Sequence, residues 1–196
     1  MKYEDIAGAL EGGDRRSIGR SNQVVGIVHR NLALLPALID CMHHKDELVR
    51  MRAADAAEKL TVTNPEWFQP FRVELIKLAD GATQQELKWH LAQILPRLEL
   101  SRRDHVIVEA IFRRYLKDHS RIVRTCAMQG LSDLAMQDPR RLVPVRRLIS
   151  SLMKTGSPAM KSRGRRLLRQ LTASTLSHDS PVSRRTPSKK VDSLTH

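Results

Sequence analysis

Apolar and small residues recur at one helical spacing in four stretches of the chain: "VRMRAADAAEKL" (49–60), "LKWHLAQILPRL" (87–98), "VRTCAMQGLSDL" (123–134) and "MKSRGRRLLRQL" (160–171). The first place holds Val49, Leu87, Val123 or Met160, and the twelfth is Leu60, Leu98, Leu134 or Leu171. Between them, the fifth, eighth and ninth places are filled by Ala53, Ala56 and Ala57, by Leu91, Ile94 and Leu95, by Ala127, Gly130 and Leu131, and by Gly164, Leu167 and Leu168. Positions i, i+4, i+7, i+8 and i+11 form one stripe of an amphipathic helix. Ahead of each stretch lies a second helical pattern: "NLALLPALIDCM" (31–42), 66–79 around "FRVELIKLA", "DHVIVEAIFRRYLK" (104–117) and "RRLVPVRRLISSLM" (140–153). The joints are short: "HHK", "DGA", "DH" and "KTG". Each unit therefore predicts helix A, a tight turn, then helix B.

The second place of every stretch is a cation, Arg50, Lys88, Arg124 or Lys161, with spacings of 38, 36 and 37 residues. Asp46, Thr83, Ser120 and Ser157 are N-cap residue types standing 37 apart, and Thr83 with Glu86 has capping-box spacing. Pro158 suits a first helical position. Residues 3–28 predict a degenerate first unit, with "YEDIAGAL" as helix A and Asp14 capping a helix B that carries Ser17, Ser21, Val24, Val25 and Val28. A hairpin of this size cannot bury its stripe alone, so stacking is required. The expected fold is all-α: a right-handed α-solenoid of about five stacked helical hairpins over residues 1–171, with units at about 3–30, 31–62, 65–99, 104–136 and 139–171. Residues 172–196, "TASTLSHDSPVSRRTPSKKVDSLTH", are rich in Ser, Thr and Pro and predict a disordered basic tail.

The apolar-cation pair followed by small columns resembles the HEAT repeat. Val49-Arg50 with Ala53 and Ala56, and Val123-Arg124 with Ala127, carry the resemblance; Leu87-Lys88 and Met160-Lys161 follow more loosely. It extends over residues 3–171 and is similar to small stand-alone bacterial HEAT-like proteins without an assigned activity. It implies that helix B lines a concave wall and that the cation column bridges to a neighbouring unit or caps carbonyls. It also implies an Asp six residues before each cation, which only Asp118 before Arg124 satisfies. HEAT-like hydroxylases that bind iron use His-Glu dipeptides, and no His in this chain precedes a Glu.

Composition narrows the class. Apolar residues make up 41%, charged residues 28% and aromatics only 4%, which suits packed helices. The longest apolar runs fall short of a membrane span, and the acidic N-terminus is unlike a signal peptide, so a cytoplasmic protein is expected. Cys41 and Cys126 form no metal or redox motif. The net charge of +13 is unevenly spread: 13 basic and 14 acidic residues leave 1–100 at −1, while 21 and 7 put +14 on 101–196.

No nucleophile elbow, phosphate loop, paired-carboxylate motif or zinc spacing occurs, so no catalytic residue, cofactor or metal is expected, and His43-His44 in a turn is a poor metal pair. The third, seventh and tenth places of helix B point away from helix A: Met51, Asp55, Glu58; Trp89, Gln93, Pro96; Thr125, Gln129, Ser132; Ser162, Arg166, Arg169. This wall runs from acidic to basic. The candidate partner-binding residues are Trp89, Arg124, Arg146, Arg147, Lys161, Arg163, Arg165, Arg166 and Arg169. Arginine forks suit carboxylates and phosphates. The expected function is a non-enzymatic protein-interaction scaffold for a partner with an acidic surface. The alternative is nucleic-acid binding through the basic concave face, which HEAT-like alkylpurine DNA glycosylases also use, although no catalytic motif matches theirs. Trp89 is either an exposed anchor or a packing residue.

Overall fold

A computed structural model describes residues 3–14 and 17–179. Among these residues every regular element is helical and no strand occurs. The helices are α1 (Tyr3–Leu10), α2 (Ser21–Arg30), α3 (Leu35–Cys41), α4 (Glu47–Thr63), α5 (Arg72–Gly81), α6 (Gln85–Ile94), α7 (Arg102–Tyr115), α8 (Arg121–Gln137), α9 (Leu142–Thr155) and α10 (Pro158–Asp179). Short 3-10 turns at Leu32–Leu34, Pro65–Phe71, Leu95–Arg97 and Pro139–Arg141 adjoin α3, α5, α6 and α9. Each odd helix packs on the even helix that follows it. The even helices also pack in succession, α2 on α4, α4 on α6, α6 on α8 and α8 on α10.

The predicted stripes form the core. Val49, Ala53, Ala56, Ala57 and Leu60 of α4, and Val123, Ala127, Leu131 and Leu134 of α8, are essentially fully buried. They join one continuous cluster with Leu38, Leu75, Ile111, Ile149 and Leu167 from the partner helices. The small columns set how near the helices come. A Cβ on Gly130 would stand 2.7 Å from the Ala92 carbonyl oxygen on α6 and 2.6 Å from the Phe112 ring on α7.

Most of the predicted caps form. The Asp46 carboxylate accepts the Leu48 N–H at 2.8 Å, and the Ser120 and Ser157 hydroxyls accept from Val123 at 3.4 Å and Met160 at 3.3 Å. Thr83 does not cap. Gln84 occupies the N-cap of α6 and makes no side-chain cap. The N-cap positions 46, 84, 120 and 157 thus stand four before each cation and share its 38, 36, 37 spacing. A full capping box forms elsewhere, between Ser101 and Asp104 at the start of α7. Pro96 lies in a 3-10 turn where the pattern predicts continuing helix, because proline lacks the N–H that an α-helix interior requires.

The first unit also differs. Its second helix begins at Ser21, and Asp14 accepts the Ser17 N–H at 3.1 Å within a loop. Gly12, Gly13 and Gly19 have φ of 75°, 77° and 54°, so the chain between α1 and α2 turns in the left-handed region. At the other end α10 continues to Asp179, so residues 172–179 are helical where the composition predicts a tail. Residues 180–196, including "SRRTPSKK", lie outside the described residues. No described helix is long and apolar enough to cross a membrane.

Candidate functional site

The cation column splits between fixed and free side chains. Arg50 donates to the carbonyls of His44 at 2.8 Å and Lys45 at 3.1 Å, and to Gln84 Oε1 of the next unit at 3.0 Å. Gln84 returns a hydrogen bond to the Glu47 carbonyl at 2.9 Å. Lys88 reaches the next unit as well, meeting Asp118 Oδ2 at 2.7 Å and lying 5.8 Å from the centre of the Tyr115 ring. Burial pushes the Asp118 carboxyl up, but hydrogen bonds from Lys88 and the Ser120 N–H outweigh it and hold the group below its ordinary range. Arg124 and Lys161 have no ion-pair partner among the described residues, and the buried Arg124 Nε has no acceptor. The two earlier cations are therefore bridges, and the position that stands as far after Arg124 as Asp118 stands after Lys88 is Lys154, so no acid continues the series there.

The polar contacts of the even-helix layer also use two columns that the helical count did not single out. The fourth place reads Arg52, His90, Cys126, Arg163 and the eleventh reads Lys59, Arg97, Asp133, Gln170. Arg52 is 1% exposed and fills the α1–α2 loop, donating to the carbonyls of Leu10 (2.7 Å), Gly12 (2.5 Å), Asp14 (3.1 Å) and Ser17 (3.3 Å). Arg97 pairs with Glu58 at 2.7 Å. Asp55 is held by Lys59 at 2.5 Å and by the Ser21 hydroxyl. The acidic start of the wall is therefore largely neutralised by its own neighbours. Met51, Pro96 and Ser132 are buried, so the third and tenth places do not all face outward.

Farther along, Arg163 donates to Gln129 Oε1 at 3.0 Å and Arg166 to the same oxygen at 3.4 Å, while Gln129 Nε2 donates to Asp133 at 2.7 Å. Burial raises the Asp133 carboxyl above its usual range and outweighs Gln129, Arg97, Arg163 and Arg166. Cys126 is pushed up to about 11, chiefly by burial, and so stays a protonated thiol at neutral pH.

The nine predicted partner-binding residues do not converge on one spot. Trp89 is half-buried on α6, its ring centre 5.7 Å from that of His90, and lines a hollow with Met51, Asp55 and Glu86. Arg163 and Arg166 sit on Gln129. Arg146 and Arg147 line a groove of about 470 Å³ between α9 and α10 with Val143, Ser150, Lys154 and Leu168. Arg165 and Arg169 are exposed on α10, within one turn of Leu168, and carry no ion pair among the described residues. The cause is compositional: residues 139–178 hold ten Lys and Arg and no Asp or Glu. By contrast Arg113 and Arg114 on α7 are paired, at 2.7 Å and 2.8 Å, with Glu109 and Asp80. His43 turns to Glu74 at 2.9 Å, and the neighbouring His44 Nδ1 instead accepts the Asp46 N–H at 3.1 Å.

No protein-family model matches the chain, and no curated protein matches it in sequence. Among solved structures, the crystal structure of an engineered protein superposes with a TM-score of 0.60 at 14% identity, over 88% of this chain and 80% of that one. That likeness concerns the helical fold.

Proposed function

We propose that the chain is a HEAT-type right-handed α-solenoid that serves as a non-enzymatic interaction module and binds an acidic protein surface through α9 and α10. The observation that carries this reading is the acid-free run of residues 139–178, along which Arg146, Arg147, Arg165 and Arg169 have no ion-pair partner among the described residues. A solenoid presents a large surface for its length, and unpaired guanidinium forks on rigid helices need little reorganisation to meet carboxylates. The succession of α2, α4, α6, α8 and α10 supports the solenoid part. The bridges at Arg50 and Lys88 support the HEAT-type part.

The test is fluorescence anisotropy with a labelled glutamate-rich peptide and, separately, a labelled DNA duplex. Replacing Arg146, Arg147, Arg165 and Arg169 by Gln should weaken peptide binding tenfold or more with the helical circular dichroism unchanged. Equal binding by that variant defeats the proposal. A duplex bound more tightly than the peptide, with affinity falling steeply as salt rises, makes the partner a nucleic acid instead.

A further inference from the structure

We propose that the groove between α5 and α7 docks an amphipathic acidic helix of a partner protein, whose apolar side chains enter beside Val73 and Ile107 and whose carboxylates meet Arg103 and Lys77. This site is separate from α9 and α10 and does not depend on their role. Helical spacing builds it. Val73, Ile76, Lys77 and Asp80 stand at i, i+3, i+4 and i+7 and share one face of α5, while Arg103 and Ile107 stand four apart on α7, beside Asp104. The hollow that these residues line holds about 470 Å³.

The lining is apolar where it is open. Val73 is 52% exposed and Ile107 is 37% exposed, and both border the same hollow as buried Ile76. A single exposed apolar side chain is ordinary, but two from different helices sharing one groove make a continuous apolar surface. Among the described residues no strand occurs, so this wall has no open backbone edge for an extended segment to pair with. A helix satisfies its own backbone and can lay an apolar stripe into such a groove.

Charge sets the sign of the partner. Both acids of the lining are already held: Asp104 meets Arg72 Nε at 3.0 Å and accepts the Ser101 hydroxyl at 2.7 Å, and Asp80 meets Arg114 at 2.8 Å. Its two cations, Lys77 and Arg103, have no ion-pair partner among the described residues. Two positive charges are thus left beside an apolar surface, and the complementary occupant is apolar on one side and acidic at its flanks. Lys77 also borders a hollow shared with the start of α6, so Arg103 is the sharper test of the two. A second copy of the chain fits less well, because two molecules at a net charge of +13 repel.

The experiment is fluorescence anisotropy on the full chain with a labelled helical peptide carrying leucines at i, i+3, i+4 and i+7 and glutamates on the flanks. A second peptide of equal charge has glutamine in place of the leucines. Both are titrated against the chain in which Arg146, Arg147, Arg165 and Arg169 are replaced by glutamine, so that binding at α9 and α10 is told apart from binding at this groove. The expected result is saturable binding of the leucine peptide, at least tenfold weaker for the glutamine peptide and at least tenfold weaker in Ile107→Asp and in Val73→Asp. Arg103→Gln should weaken it about threefold, as for an exposed charge pair. Val73 and Ile107 are exposed, so the helical circular dichroism should stay unchanged in both aspartate variants. No saturable binding, equal binding of the two peptides, or full binding by the folded aspartate variants overturns the proposal. A dimer in sedimentation that Ile107→Asp dissociates assigns the groove to a second copy and overturns it as well.

Discussion

Gly130→Ala tests the closeness of the helices. The added methyl would sit 2.6 Å from Phe112 Cε2 and 2.7 Å from the Ala92 carbonyl oxygen. Carbon contacts relax at about 3.5–4.0 Å, so α8 must retreat by about 1 Å from both α6 and a fully buried ring. Overpacking of this kind costs about 1–3 kcal/mol. The main-chain carbonyl cannot rotate aside, which places the cost in the upper half of that range. Alanine returns about 1 kcal/mol of helix propensity. The net expectation is a loss of about 1–2 kcal/mol, or a Tm lower by roughly 3–6 °C in a chain of this size. Two substitutions supply the controls. A Cβ at Gly8 in α1 meets nothing within 4 Å, so Gly8→Ala should stabilise by about 0.5–1 kcal/mol. At Gly164 the close atoms are Met153 Cγ at 2.6 Å and Sδ at 2.7 Å, which a flexible thioether can move, so Gly164→Ala should be near neutral. Urea melts at constant m read all three. If Gly130→Ala stabilises as much as Gly8→Ala, the close approach of α8 to α6 is wrong.

Other consequences follow from single side chains. Arg52→Met should cost about 3 kcal/mol by leaving the Leu10 and Gly12 carbonyls unmet, and hydrogen exchange should show residues 11–14 and 17–20 losing protection before the rest. Asp118→Asn should destabilise by about 1–2 kcal/mol by breaking the half-buried bridge to Lys88. Because the folded Asp118 carboxyl lies below its ordinary value of 3.8, this contribution is present above that pH and fades as pH falls through the folded value, a slope that Asn should remove in an acid titration. For His90 the folded ring titrates below 6.5, so the unfolded chain takes the proton first and stability should decline as pH drops below 6.5. His90→Leu should flatten that part of a Tm-against-pH curve.

The stripes and the cation column were legible because burial and inter-unit bridging repeat with the unit, and repetition exposes a pattern that no single helix would. The register was less secure. Thr83 looks like a cap at an even spacing of 37, but the helix starts from Gln84, whose amide is used to bridge Arg50 and Glu47. Helical counting also put the outward face at the third, seventh and tenth places. Contacts between successive even helices pair those places with the fourth and eleventh, as Arg97 meets Glu58 and Arg163 meets Gln129, which is why Arg52 and Arg97 were not singled out. Arg52 in particular reaches carbonyls 35–42 residues earlier, and only the folded loop brings those oxygens together. One signal was available and would have sharpened the charge argument: the absence of any acid across 139–178 already implies cations without local partners.

The binding surface itself is tested most directly by mapping amide chemical-shift changes when the glutamate-rich peptide is added to the full chain. Shifts should concentrate on α9 and α10 around Arg146, Arg147, Arg165 and Arg169, with α2 and α4 unmoved. Shifts centred on the Asp55–Glu58 region, or spread evenly over all helices, would contradict it.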